Sequence, residues 1–319
     1  MMTHLLIAAI AMIVLLSLWA KVGIKDVPSH RSSHDNIVPT ASGICVSIVF
    51  MAFVVFNQSC EPIPLGFIVG FCLLTVLGFL DDWRELSYKI RLVCQALSVV
   101  CVLITQDLSP IGYLIWFFMG IGLINASNFL DGLNGLLASQ WLLTVGFLLA
   151  GFAAVNSMFW VLWVCVLIYL FFNFPRARLF MGDTGSTILG FSYFAIIFYL
   201  TPLQATFPSI LITNDSFILF ALFPLSFAWS DIAYTLIRRF VEKRSIVNSF
   251  ADYGFHHLAR SFKSHSLVTL IYLGLNSLLV FGAHILFIEH QFMPIVIGVY
   301  ILLQIMHLLL IRKVAIAKF

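Results

Sequence analysis

The chain has 319 residues, 61% of them hydrophobic and 10% charged, with a mean hydropathy of +1.05. Soluble domains carry about 25% charged residues, and 17 Lys/Arg with 14 Asp/Glu cannot cover a water-facing surface of this size. A soluble enzyme, a nucleic-acid binder and a disordered linker are therefore excluded, and an integral membrane protein is predicted.

A spanning helix needs ~20 mostly apolar residues. Breaking the chain at its polar clusters gives eleven candidate spans, near residues 4–20, 43–57, 64–80, 90–106, 110–124, 133–152, 155–173, 185–203, 216–237, 267–288 and 292–311. The expected fold is all-α: one polytopic membrane domain over residues 1–319 with about eleven transmembrane helices. Met1 to Ala20 lacks a basic n-region and a cleavage site, so it reads as a retained first span. The six cysteines show no metal-ligand spacing and read as small apolar residues, with Cys60 in a loop.

Alternating the loops between two sides puts 21–42, 81–89, 125–132, 174–184, 238–266 and the tail after 311 together. All 17 Lys and Arg residues lie in those segments or at their helix edges, whereas the opposite loops hold Glu61, Asp107, Asp215 and Glu289. Basic loops face the cytoplasm, which predicts an outside N-terminus and a cytoplasmic C-terminus.

Asp81, Asp82, Asp131, Asp183 and Asp231 all fall at or near cytoplasmic span ends. A carboxylate deep in a bilayer costs ~2.5–3.5 kcal/mol even on lenient scales, so a cluster at one membrane edge points to a polar site. For Asp231, close to Arg238 and Arg239, ordinary helix-end solvation competes with a site role.

Three stretches carry the chemistry. In the first, Gly78-Phe-Leu-Asp81-Asp82-Trp83-Arg84-Glu85, adjacent carboxylates repel. A hard cation such as Mg²⁺ relieves that repulsion. In the second, Asn125, Asn128 and Asp131 recur at i, i+3 and i+6, and Gly132 and Gly135 allow a break. Helical spacing stacks those three polar groups on one face. The third, Phe180-Met-Gly-Asp183-Thr184-Gly185-Ser186-Thr187, opens a span with small residues. Free N–H groups at such a helix start suit phosphate, with a metal bridging to Asp183; Thr184 or Ser186 as a plain N-cap is the alternative. No Walker pattern occurs. The loop 238–266 adds six basic residues, Arg260 among them, with His256 and His257. It could rest on anionic lipid or cap an anionic nucleotide.

Together these stretches resemble the polyprenyl-phosphate N-acetylhexosamine-1-phosphate transferases of glycosyltransferase family 4. The resemblance runs from Asp26-Val-Pro28…Arg31-Ser-Ser-His34 to His256-His257 and is most specific at FMGDTGS and at Asn125-x-x-Asn128-x-x-Asp131-Gly132. It implies transfer of an N-acetylhexosamine-1-phosphate from a UDP-sugar to undecaprenyl phosphate, releasing UMP, in a bacterial inner membrane with the site on the cytoplasmic face. It implies Mg²⁺ as cofactor (Mn²⁺ as the alternative), membrane lipid as surroundings, no nucleic-acid partner, and compatibility with a homodimer. By the resemblance Asp81 and Asp82 activate the lipid phosphate, and Asp183 with Asp82 binds the metal. Asn125, Asn128, Asp131 and Thr184 to Ser186 support the nucleotide and phosphates, and His256, His257 and Arg260 contact the donor.

Three positions depart from the family's pattern: Asn134 for a second aspartate, Gly254 for the first residue of His-x-His-His, and Ser42 in place of a glycine. The histidine departure argues against the peptidoglycan branch and toward initiation of O-antigen or a related surface polysaccharide. The rival readings are a secondary transporter, a membrane prenyltransferase and a non-catalytic assembly partner. A transporter would show midplane polar groups and paired repeats, and a prenyltransferase a second aspartate-rich motif.

Overall fold

A computed structural model describes residues 1–27, 37–57, 63–151, 158–203, 226–245, 252–288 and 293–316. The Arg31-Ser-Ser-His34 segment, Cys60, Glu61, Asp215 and Glu289 lie outside the described residues. Twelve helices occur among those described: α1 (Met2–Val22), α2 (Gly43–Asn57), α3 (Leu65–Trp83), α4 (Tyr88–Leu103), α5 (Pro110–Leu130), α6 (Leu136–Gly151), α7 (Met158–Asn173), α8 (Gly182–Leu203), α9 (Ser226–Val241), α10 (Gly254–Phe262), α11 (His265–Ile288) and α12 (Met293–Ile316). A short ribbon pairs β1 (Lys25–Asp26) antiparallel with β2 (Val38–Pro39). Met2–Val22, Leu65–Trp83, Pro110–Leu130 and His265–Gly282 are long and apolar enough to cross a membrane. Gly43–Asn57, Leu136–Ala150 and Met158–Asn173 are apolar but shorter.

Helix α8 is the central post. Phe191, Phe194 and Phe198 on it are fully or almost fully buried, and Phe191 stacks on Phe67 of α3 with ring centroids 5.5 Å apart. Around it stand α2, α3, α5 and α6, with α4 packed outside α3 and α5. The outermost faces are apolar yet exposed: Ile7, Ile10 and Val14 on α1, and Ile90, Leu92, Val93 and Leu97 on α4. Such faces are unfavourable in water and natural against lipid.

Two boundaries differ from the sequence expectation. Helix α5 runs on to Leu130 instead of stopping near 124, so Asn125 and Asn128 are helical. The Asn125 amide donates to the Ile121 carbonyl at 2.8 Å and to Gln95 Oε1 at 2.8 Å, so it does not compete for the backbone N–H groups that hold the helix. Helix α8 starts at Gly182 rather than 185 because a carboxylate from another helix holds its first turn. The 238–266 segment, read as a loop, contains the nine-residue helix α10.

Candidate active site

Successive helical residues project ~100° apart, so Asp81 and Asp82 at the end of α3 face different neighbours. Asp82 turns inward to α8. Its Oδ1 accepts the Asp183 N–H at 2.8 Å, and its Oδ2 accepts the Thr184 N–H at 3.0 Å and the Thr184 hydroxyl. Helix starts leave such N–H groups without intrahelical partners and carry partial positive charge, and a carboxylate from α3 meets both needs. Gly182 sits at φ +72°, and a Cβ there would run into the Asp82 carboxylate.

At the expected phosphate nest the structure shows a carboxylate of the chain itself. The first N–H groups of α8 are already bound, and Thr184, Gly185 and Ser186 are buried. Ser186 accepts a hydrogen bond from Asn128 Nδ2 at 3.2 Å and serves packing rather than an open surface. Asp82, expected as base and metal ligand, has both oxygens on that helix start. Those bonds fasten α3 to the turn that carries Asp183.

Asp81 turns toward α4. Its Oδ1 accepts the Leu86 N–H at 2.6 Å, and its Oδ2 lies 3.0 Å from Arg91 Nη1. The same Nη1 lies 3.1 Å from Asp183 Oδ2, while Asp183 Oδ1 accepts from Asn128 Nδ2 at 2.6 Å. Two carboxylates from helices far apart in sequence thus converge on one cation. A cavity of about 190 Å³ lies beside them, lined among others by Asp81, Arg91, Asn125, Asn128, Asp183 and Thr187. Tyr88 and Leu92 line it from α4, and both remain nearly half exposed. Drug-sized ligand sites run to roughly 300–1,000 Å³, so this space matches a phosphate group better than a whole nucleotide sugar.

The convergence also tests the expected metal. The point between Asp81 and Asp183 already favours positive charge, as the guanidinium there demonstrates. No three His, Cys, Asp or Glu side chains converge to cage an ion among the described residues. Mg²⁺ suits such a site, because it commonly uses one or two carboxylates, waters and substrate phosphates. The residues fit, with Asp81 in place of Asp82 as partner to Asp183.

Arg91 is the residue that sequence reasoning missed, since its charge was counted only toward membrane orientation. Its signal was the position of a lone Arg in the first turns of the helix after the Asp pair, aimed back at it. One turn further on, Gln95 is buried and pairs with Asn125, joining α4 to α5. Asp131 caps the end of α5. Burial, and then the charges of Asp183 and Asp82, push its carboxyl well above the usual range.

Helix α10 approaches from the other side. His256 packs on the turn after Asp131, where a Cβ on Gly132 would collide with its ring. His256 and His257 are buried, and His257 Nε2 lies 3.0 Å from Asp252 Oδ1. Burial and the positive charge of Arg260 lower the His256 pKa to about 3. Arg260 itself is exposed. The structure therefore gathers Asp81, Asn125, Asn128 and Asp183 at the cavity, sets Asp82, Thr184 and Ser186 one layer behind, and places the histidines beside Gly132. Of the departures, Ser42 donates to the Phe180 carbonyl at 2.8 Å, bracing the Asp183 turn, and Asn134 reaches the Pro175 carbonyl at 3.4 Å.

Comparison with known proteins fits this geometry. The chain is 28% identical over 275 residues to a probable undecaprenyl-phosphate N-acetylglucosaminyl 1-phosphate transferase of Bacillus subtilis, covering 79% of this chain and 74% of the relative. It is 31% identical over 212 residues to an undecaprenyl-phosphate alpha-N-acetylglucosaminyl 1-phosphate transferase of Yersinia pestis, covering 58% and 56%. A Thermotoga maritima protein of the same description is 29% identical over 234 residues, covering 69% and 67%. The segment that holds Asp81, Arg91, Asn128 and Asp183, residues 64–201, matches the family described as glycosyl transferase family 4.

Proposed function

We propose that the protein transfers an N-acetylhexosamine-1-phosphate from a UDP-sugar to undecaprenyl phosphate, releasing UMP, as the first step of O-antigen or related surface-polysaccharide synthesis. One observation carries this reading: Asp81 and Asp183 share a cation at a phosphate-sized cavity walled on one side by a helix with an exposed apolar face. Two anionic phosphates, one of them on a lipid, need that combination. The relatives, named as undecaprenyl-phosphate N-acetylglucosaminyl 1-phosphate transferases, support the lipid acceptor and the class of group transferred.

Each residue then has a task. Asp81 faces the cavity and takes the proton of the lipid phosphate, leaving its oxygen to attack the donor's β-phosphorus. Arg91 offsets the charge gathered on the phosphates. Asn128 holds the Asp183 carboxylate in place, and Asp82 holds the turn on which Asp183 stands. A Mg²⁺ ion held by Asp81 and Asp183 would supply further positive charge for bringing two anions together. In this reading the site faces the cytoplasm from a bacterial inner membrane, with the N-terminus outside, the C-terminus inside and about eleven spans, and the gathering of all 17 Lys and Arg residues on one set of loops supports that orientation.

Mass spectrometry of the lipid product tests the reading. Purified protein, undecaprenyl phosphate, Mg²⁺ and a panel of UDP-N-acetylhexosamines should yield a lipid-diphosphate-sugar with at least one donor. No such lipid with any donor, from folded protein, would overturn it.

A further inference from the structure

Asp231 lies on α9, outside the cavity, with no exposed surface. Its Oδ1 accepts the Gly254 N–H at 2.7 Å and its Oδ2 accepts the Phe255 N–H at 2.8 Å. Those are the first two residues of α10. The N-cap of that helix is Tyr253, which makes no side-chain capping bond. Helix starts prefer Ser, Thr, Asp or Asn at this position, so α9 provides the missing cap from a distance. The Tyr272 hydroxyl of α11 also donates to Asp231 Oδ2, at 2.7 Å, and His307 of α12 lies 2.9 Å from that hydroxyl. One carboxylate thus ties α10 to three helices. The approach leaves no spare room, since a Cβ on Gly254 would stand 2.7 Å from Asp231 Oδ1 and from Ile311.

The residues flanking this anchor lead to the active site. Tyr253 packs against Phe129, which lines the cavity, with ring centroids 5.4 Å apart. His256 rests on Gly132, next to Asp131. We infer that Asp231 is a positioning residue for donor binding: by capping α10 it sets where Tyr253 and His256 stand against the Phe129–Gly132 stretch. The helix-end solvation reading of Asp231 does not hold, because the carboxylate is buried and its bonds are all internal. The alternative, a residue that only keeps the bundle folded, makes a different forecast.

The exchange arm of the test is independent of the transferase reading, and only the kinetic arm rests on it. Asp231→Asn keeps the shape and removes the charge that accepts two N–H groups. Hydrogen exchange on the full-length protein in detergent should speed up at least tenfold at Gly254–Leu258 and stay unchanged in α3 and α8. With UDP-sugar and undecaprenyl phosphate as probes, the donor KM should rise about tenfold while the lipid KM stays within twofold. Tyr272→Phe, which keeps both N–H bonds, should show a smaller change of the same kind and covers the case where Asp231→Asn misfolds. Unchanged exchange at 254–258 would overturn the anchor. Faster exchange with equal changes in both KM values, or none, would overturn its link to the donor.

Discussion

Asp82 holds Thr184 twice, by its backbone N–H at 3.0 Å and by its hydroxyl, across 102 positions of sequence. The pair fastens α3 to the start of α8 and divides the labour between two adjacent aspartates. Losing a helix cap costs ~1 kcal/mol, and leaving buried donors unpaired about 1–3 kcal/mol. Asp82→Ala should therefore lower the unfolding temperature and activity together. Asp81→Asn should leave the unfolding temperature near wild type and cut turnover by about 10²-fold or more, the scale of a lost general base. Thermal unfolding in detergent beside UMP release separates the two; equal effects would refute the division.

Arg91 joins Asp81 to Asp183 and competes with a divalent ion for the same oxygens. Arg91→Gln should reduce kcat at least tenfold, because a charge that stabilises phosphate is gone. It should also lower the Mg²⁺ concentration needed for half-maximal rate. Arg91→Lys should recover part of the rate, a point charge replacing a fork. A magnesium titration of the three proteins reads both effects.

The Asp81 and Asp183 stretches were legible in the sequence because carboxylates beside small residues at span ends have few bland explanations. The role of Asp82 was not, since its partners lie more than 100 residues away and nothing local distinguishes it from Asp81. Arg91 was hidden among cations that any cytoplasmic loop carries. Asn125 suggested the end of a span, yet Gln95 on another helix satisfies its amide and lets α5 continue. Helix α10 escaped notice because it is one short amphipathic stretch whose cap, Asp231, comes from another helix.

The docking of α10 should depend on pH. His256 has a pKa of about 3 in the fold, lowered by burial and then by Arg260, His265 and His257, against about 6.5 for a free histidine. The unfolded state binds the extra proton, so stability is full above roughly pH 6.5 and declines as pH falls toward the folded value. Asp252 acts with the same sign at lower pH. Burial raises its pKa, but the His257 hydrogen bond and the Arg238 charge outweigh that and hold it below the usual carboxylate range. Protection of residues 254–260, expressed against the intrinsic exchange rate at each pH, should therefore be weaker at pH 5 than at pH 7.5, and His256→Gln should flatten that difference.

The most direct test of the central claim is UMP release by the wild type and by Asp183→Asn, each with and without undecaprenyl phosphate and Mg²⁺. Asp183 points one oxygen at Arg91 and the other at Asn128. Its amide should preserve the fold and abolish the chemistry. The account predicts release from the wild type only when lipid and metal are both present, and at least a 10²-fold loss in the variant. Full activity in Asp183→Asn, or release that needs no lipid, would contradict it.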